Sequence, residues 1–159
     1  MRIIGGKYKG RRFNPPATNW PTRPTTDFAR ERLLNMLNNR LNFDEVKMLD
    51  LFGGTGSHSY EFISRGGTDA TYVDNFPGCV RFVREVAEQL KIEDYLKIYQ
   101  MHVYRFIEVS TEQYDYIFAG PPYGLSTLDT IPDRIFKKNL LLPEGLFVLE
   151  HNPHHDFAG

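Results

Sequence analysis

Asp50, Gly53, Gly54 and Gly56 fall within one run, Asp50-Leu51-Phe52-Gly53-Gly54-Thr55-Gly56, directly after an apolar stretch. Glycines at such a turn let the backbone approach a ligand closely, and the helix that follows offers unpaired amides at its positive dipole end. A nucleotide-like ligand suits that combination. The dinucleotide fingerprint is not completed, because Ser59 stands where its third glycine belongs, and this counts against a hydride-transferring oxidoreductase. A second chemical feature is charge. Residues 1–26 carry Arg2, Lys7, Lys9, Arg11, Arg12 and Arg23 with no acid before Asp27, so the rest of this net −1 chain stands at about −7. Cations interleaved with Tyr8, Phe13 and Trp20 suit phosphates and bases, which makes nucleic acid a candidate partner beside the plainer reading of a solubilising terminus.

The elements that must position these residues alternate. Gly5-Gly6 and Gly10 punctuate a small N-terminal hairpin, and Pro15-Pro16 with Pro21 to Pro24 make a stiff linker, so 1–25 reads as a basic extension of a single domain over 1–159. Thr26 or Asp27 caps a helix whose apolar residues are Phe28, Leu33, Met36, Leu37 and Leu41. Strands are expected at 46–52, 70–73, 96–101, 114–119 and 145–150, with helices at 57–65, from Pro77, at 105–113 and around 132–139. Alternation of this kind predicts a three-layer αβα, Rossmann-like sandwich with a mostly parallel, doubly wound sheet and ligands at the carboxyl ends of the strands. The lone Cys79 reads as a small buried hydrophobe. No window is long and apolar enough for a membrane span, and a cytoplasmic protein is expected. His58 and His102 lack further ligands, and His151, His154, His155 and Asp156 read as a polar tail, so no metal is expected.

The pattern D-x-F-x-G-x-G resembles the first motif of class I S-adenosylmethionine-dependent methyltransferases, with Asp74 eighteen residues after Gly56, where a ribose-binding acid is expected. Gly120-Pro121-Pro122-Tyr123, at the end of the fourth strand, resembles the Asp/Asn-Pro-Pro-Tyr motif of methyltransferases that act on exocyclic amino groups. The Pro121 carbonyl can accept a hydrogen from a base amine and Tyr123 can stack on the base. Arg2 to Arg12, Thr22 to Asp27, Leu49 to Gly56, Asp74 and Pro121 to Tyr123 together are similar to the bacterial 16S ribosomal RNA guanine-N2 methyltransferases, the RsmD family.

That resemblance implies methyl transfer from S-adenosylmethionine to the N2 amine of a guanine in small-subunit RNA, leaving S-adenosylhomocysteine. It implies RNA phosphate contacts at Arg2, Lys7, Lys9, Arg11 and Arg12, and Arg23 with Thr25 over the methionine end of the cofactor. Asp50, Phe52, Gly53, Gly54 and Gly56 would hold the methionyl part, Asp74 the ribose and His102 the adenine side, with Gly120, Pro121, Pro122 and Tyr123 at the reacting base. The implied partner is ribosomal RNA in an assembling small subunit, and the protein is expected to act as a monomer. Three departures stand out: Gly120 replaces the family's Asp or Asn, His102 replaces an Asp, and the family's further C-terminal hairpin is expected to be missing after Gly159. They leave a second reading, a catalytically impaired cofactor- or RNA-binding protein of the same fold. A DNA amino-methyltransferase would need a recognition domain for which there is little room.

Overall fold

Side chains that alternate along the central strands sort the helices onto two faces. The computed structural model describes residues 2–16, 26–122 and 127–150. Strands β1 (Lys47–Leu51), β2 (Asp69–Asp74), β3 (Leu96–Gln100), β4 (Tyr114–Ala119) and β5 (Leu141–Leu149) pair in parallel in the order β3-β2-β1-β4-β5. On β1, Met48 joins one apolar cluster and Leu49 and Leu51 the other, and on β4 Tyr116 and Phe118 separate in the same way from Ile117 and Ala119. Helices α1 (Asp27–Arg40), α2 (Ser57–Ser64) and α3 (Pro77–Leu90) supply the first cluster, α4 (Val103–Val109) and α5 (Ile131–Lys137) the second. With both faces covered, the strands are apolar on both sides, as a parallel sheet requires. The result is the expected three-layer α/β sandwich.

Local chemistry fixes the element ends. Thr26 caps α1 by accepting from the Ala29 amide at 3.1 Å, Gly56 opens α2 with φ 85°, and Pro77 stands in the first turn of α3. Cys79 is buried in α3. Three expectations need correction. In α1 the buried residues are Arg30, Leu34 and Leu37, while Phe28 and Met36 are 69% and 44% exposed; the inner face carries a charge that pattern reading assigns outward. Helix α4 starts two residues earlier than expected because His102 caps it, its Nδ1 accepting from the Tyr104 amide at 3.1 Å. Strand β5 begins at Leu141 opposite Tyr114, and its register then jumps to pair Tyr116 with Leu146, an irregularity at Pro143 to Gly145, where Glu144 has φ 66°.

The N-terminal segment makes one antiparallel bridge, Arg2 with Arg12, and is clamped to α2. The Lys7 amide donates to the Ser64 carbonyl at 2.7 Å and the Tyr8 amide to Ser64 Oγ at 2.9 Å. Buried Glu61 accepts from the amides of Ile4 and Gly5 and lies 3.3 Å from Arg65 Nε. Arg30 Nη2 donates to the Arg2 carbonyl at 2.6 Å. Main-chain groups therefore anchor the segment, with Ile3 and Phe13 in the core, and the side chains of Lys7, Lys9, Arg11 and Arg12 remain exposed.

Candidate cofactor and base site

The sheet order reverses between β1 and β4, and the crevice beyond such a switch point is where ligands settle in doubly wound folds. Asp50, next to last in β1, is buried at 1% exposure, its Oδ2 accepting from Ser59 Oγ at 2.7 Å. Burial pushes its carboxyl up to about 7, Ser59 opposes this, and the charge of Asp74 adds to it. The chain then turns through Phe52 and Gly54, both at φ 57°. At Gly53 an added Cβ would lie 2.3 Å from the Tyr72 ring, and the Tyr72 hydroxyl donates to the Gly54 carbonyl at 2.5 Å. Asp74, at the end of β2, accepts from the Gly54 amide at 2.8 Å and from the Phe76 amide at 2.9 Å. One carboxylate thus ties together the turns after β1 and β2.

These turns open on a cavity of about 490 Å³. From the β1–β2 side it is lined by Asp50, Gly53, Gly54, Asp74 and Phe76, with His102 and Val103 from the turn into α4. Phe118, Gly120, Pro122 and Glu150 reach it from β4 and β5, and Arg30 and Leu33 from α1. Because His102 accepts at Nδ1, its Nε2 carries the proton and can donate. His58 is buried, stacked on Phe118 with centroids 3.9 Å apart and rings at 10°, and its Nε2 lies 2.8 Å from the Tyr116 hydroxyl. Burial, with the Arg30 charge adding, lowers it to about 3, so it is a neutral packing group, as its place in the first turn of a helix suggests.

The family model described as Conserved hypothetical protein 95 matches residues 1–158. Ribosomal RNA small subunit methyltransferase D of Escherichia coli K12 is 26% identical over 150 residues, which cover 94% of this chain and 74% of that protein. The Bacillus subtilis (strain 168) protein YlbH is 30% identical over 155 residues, 96% of this chain and 83% of YlbH. The chain belongs to the RsmD family. Among solved structures, this RsmD-family chain is similar to the Escherichia coli protein yhhF, with a TM-score of 0.87 at 25% identity over 100% of this chain and 84% of that one. A hypothetical protein of Thermus thermophilus gives 0.86 at 26% identity over 99% and 90%.

Within this RsmD-family fold, Asp50, Phe52, Gly53, Gly54, Asp74, His102, Gly120 and Pro122 share the cavity wall. Pro121 is buried beside it. Gly56 serves the turn instead of the cavity: an added Cβ there would lie 2.5 Å from the Tyr60 ring. Arg23, Thr25 and Tyr123 lie outside the described residues. Sequence reasoning missed Arg30, Leu33, Phe76 and Glu150. Position just beyond a strand end, the signal that singled out Asp74 and Gly120, would have found Phe76. Nothing in the pattern marks Arg30, which occupies an inward helical position normally apolar.

Proposed function

We propose that this chain methylates the exocyclic N2 of a guanine in small-subunit ribosomal RNA, using S-adenosylmethionine, and acts as a cytoplasmic monomer on an assembling subunit. The observation that carries the reading is one cavity shared by the glycine turn with Asp74 and by Gly120 and Pro122. Cofactor and base would meet there. The names of the RsmD-family relatives from Escherichia coli and Buchnera aphidicola, ribosomal RNA small subunit methyltransferase D, support the substrate class.

The residues present fit the cofactor. The turn presents backbone without side chains at Gly53 and Gly54, acids stand at the ends of β1 and β2, and Phe76 with Val103 offers apolar surface for a purine. When bound, S-adenosylmethionine supplies an electrophilic methyl group on a positively charged sulfur. Asp50, with Phe52, Gly53 and Gly54, would hold the methionyl part, and the family resemblance adds Arg23 and Thr25. Each oxygen of Asp74 accepts one loop amide and keeps a lone pair for a ribose hydroxyl. His102, on the cavity wall, would offer Nε2–H to the adenine. On the base, the Pro121 carbonyl accepts an amine hydrogen and Tyr123 stacks, which aims the nitrogen at the methyl group. No general base is obligatory, because the amine loses its proton to water after methylation, and no metal takes part.

Asp50 links this role to pH. Its folded-state pKa of about 7 lies above the ordinary 3.8, so folding favours the protonated form and the charged form costs stability that grows as pH rises from about 4 to 7. Asp50→Asn is therefore expected to stabilise the ligand-free protein at pH 8 by about 1 kcal/mol or more, raising its melting temperature, and to change little at pH 4. The same variant should weaken S-adenosylmethionine binding at pH 8 about tenfold to a hundredfold. Thermal melts at both pH values and titration calorimetry check the two halves.

The exposed basic segment makes a separate prediction. Neutralising Lys7, Lys9, Arg11 and Arg12 together should leave the melting temperature nearly unchanged. It should also flatten the salt dependence of RNA binding, by about 0.7–0.9 in log–log slope for each phosphate that is no longer neutralised. An unchanged slope would remove these residues from the RNA interface.

A second reading, cofactor and RNA binding without turnover, is favoured by Gly120, which cannot offer the side-chain acceptor of the family motif. Labelled methyl transfer to undermethylated small-subunit RNA decides between the two. Transfer to RNA and not to duplex DNA supports the enzyme; cofactor binding by calorimetry with no transfer supports the binding protein; absence of cofactor binding defeats both.

A further inference from the structure

Gly120 removes a side-chain acceptor, but the next strand returns a carboxylate to the same place. Glu150 directly follows β5, and its amide donates to the Ala119 carbonyl at 2.9 Å. Strand β4 pairs Ala119 with Leu149, so Gly120 and Glu150 leave the sheet side by side. Both line the cavity together with Pro122. Along β5, Leu146 and Val148 pack with the cluster of Tyr116 and Phe118, and Phe147 and Leu149 with the other, so alternation sets Glu150 on the face of the sheet that carries Tyr116, Phe118 and His58, and its charge adds to burial and to Asp50 in pushing the Tyr116 phenol up. Among the described residues, an added Cβ at position 120 meets only Phe118, at 3.3 and 3.7 Å.

A carboxylate is a two-acceptor group, and the Watson–Crick edge of guanine offers two adjacent donors, N1–H and N2–H. Adenine presents an acceptor at N1 and cytosine one at N3, each facing a carboxylate oxygen repulsively. Building on the RNA methylation proposed above, we propose that Glu150 is a catalytic residue that takes over from the missing side chain at position 120, accepting from N1–H and N2–H of the target base and thereby selecting guanine. The Pro121 carbonyl holds the second N2 hydrogen. With both hydrogens held in the plane of the base, the N2 lone pair is directed out of it. N2 forms the new bond to carbon, the sulfur keeps the electron pair of the bond that breaks, and one N2 proton leaves to water.

The test compares wild type, Glu150→Gln and the double variant Glu150→Gln/Gly120→Asp in labelled-methyl transfer to small-subunit RNA, with S-adenosylmethionine affinity measured on each by calorimetry. Glu150→Gln is expected to lower kcat about a hundredfold while cofactor affinity stays within about twofold, and adding Gly120→Asp is expected to restore most of the loss. A merely structural Glu150 would not be rescued from a neighbouring strand. Wild-type kcat in Glu150→Gln, or a loss with cofactor binding kept that Gly120→Asp does not recover, overturns the assignment while the methylation reading stands. A wild type that transfers nothing, with activity appearing only in the double variant, overturns both.

Discussion

Gly53→Ala is expected to weaken S-adenosylmethionine binding by more than about a hundredfold and to cost about 1–3 kcal/mol of stability from one added methyl group. The methyl would stand 2.3 Å from both Cδ2 and Cε2 of Tyr72. Tyr72 is fully buried and its hydroxyl holds the Gly54 carbonyl at 2.5 Å, so the ring has nowhere to go. The turn must move instead. Movement breaks the Gly53 amide's bond to the Val73 carbonyl at 3.1 Å and the Gly54 amide's bond to Asp74 at 2.8 Å, the two contacts that shape the cofactor end of the cavity. Gly120→Ala is the control, because among the described residues a Cβ there reaches only Phe118, at 3.3 Å, and should leave the melting temperature within a degree or two. Calorimetry and thermal melts on the two variants check the contrast; equal effects would contradict the role given to the Gly53–Tyr72 contact.

Glu61→Ala is expected to destabilise the protein by about 3–5 kcal/mol, the cost of stranding a buried charge. Glu61 is 1% exposed, between Arg30 at 3% and Arg65 at 11%. Arg30 Nε, 3.6 Å from Glu61 Oε1, has no hydrogen-bond partner among the described residues, so its link to Glu61 is electrostatic, while Nη2 of the same guanidinium donates to the Arg2 carbonyl and to Asp27. Glu61 also accepts from the amides of Ile4 and Gly5. Its loss should therefore appear twice: as a lowered urea midpoint, and as faster amide exchange at residues 4 and 5 than at β1 under native conditions. Since Arg30 lines the cavity and also holds the Arg2 carbonyl, the same variant should loosen the basic segment beside the site. Unchanged exchange at residues 4 and 5 would show that Glu61 does not anchor the segment.

The parallel sheet was legible because its strands are short apolar runs between punctuated helices, and β4 was read to the residue at 114–119. The glycine turn and Asp74 were legible because close backbone approach and strand-end acids leave a local signature. The Arg30–Glu61–Arg65 group was not, since the tie of Arg30 to Glu61 and the ties of both to the N-terminal segment reach across the sequence, and each member alone looks like an exposed charge on a helix. Phe28 misled for the converse reason: an apolar residue at helical spacing need not face the core, and here the Arg32 guanidinium lies over its ring at 5.7 Å. Glu150 depends on strand order, because only the β4–β5 pairing brings it beside Gly120.

The central claim is best tested by nucleoside analysis of small-subunit RNA, taken from undermethylated particles, after incubation with this protein and S-adenosylmethionine. The account predicts N2-methylguanosine as the product, at one guanine. Methyl groups found on another base or atom, or none at all from a protein that binds the cofactor, would contradict it.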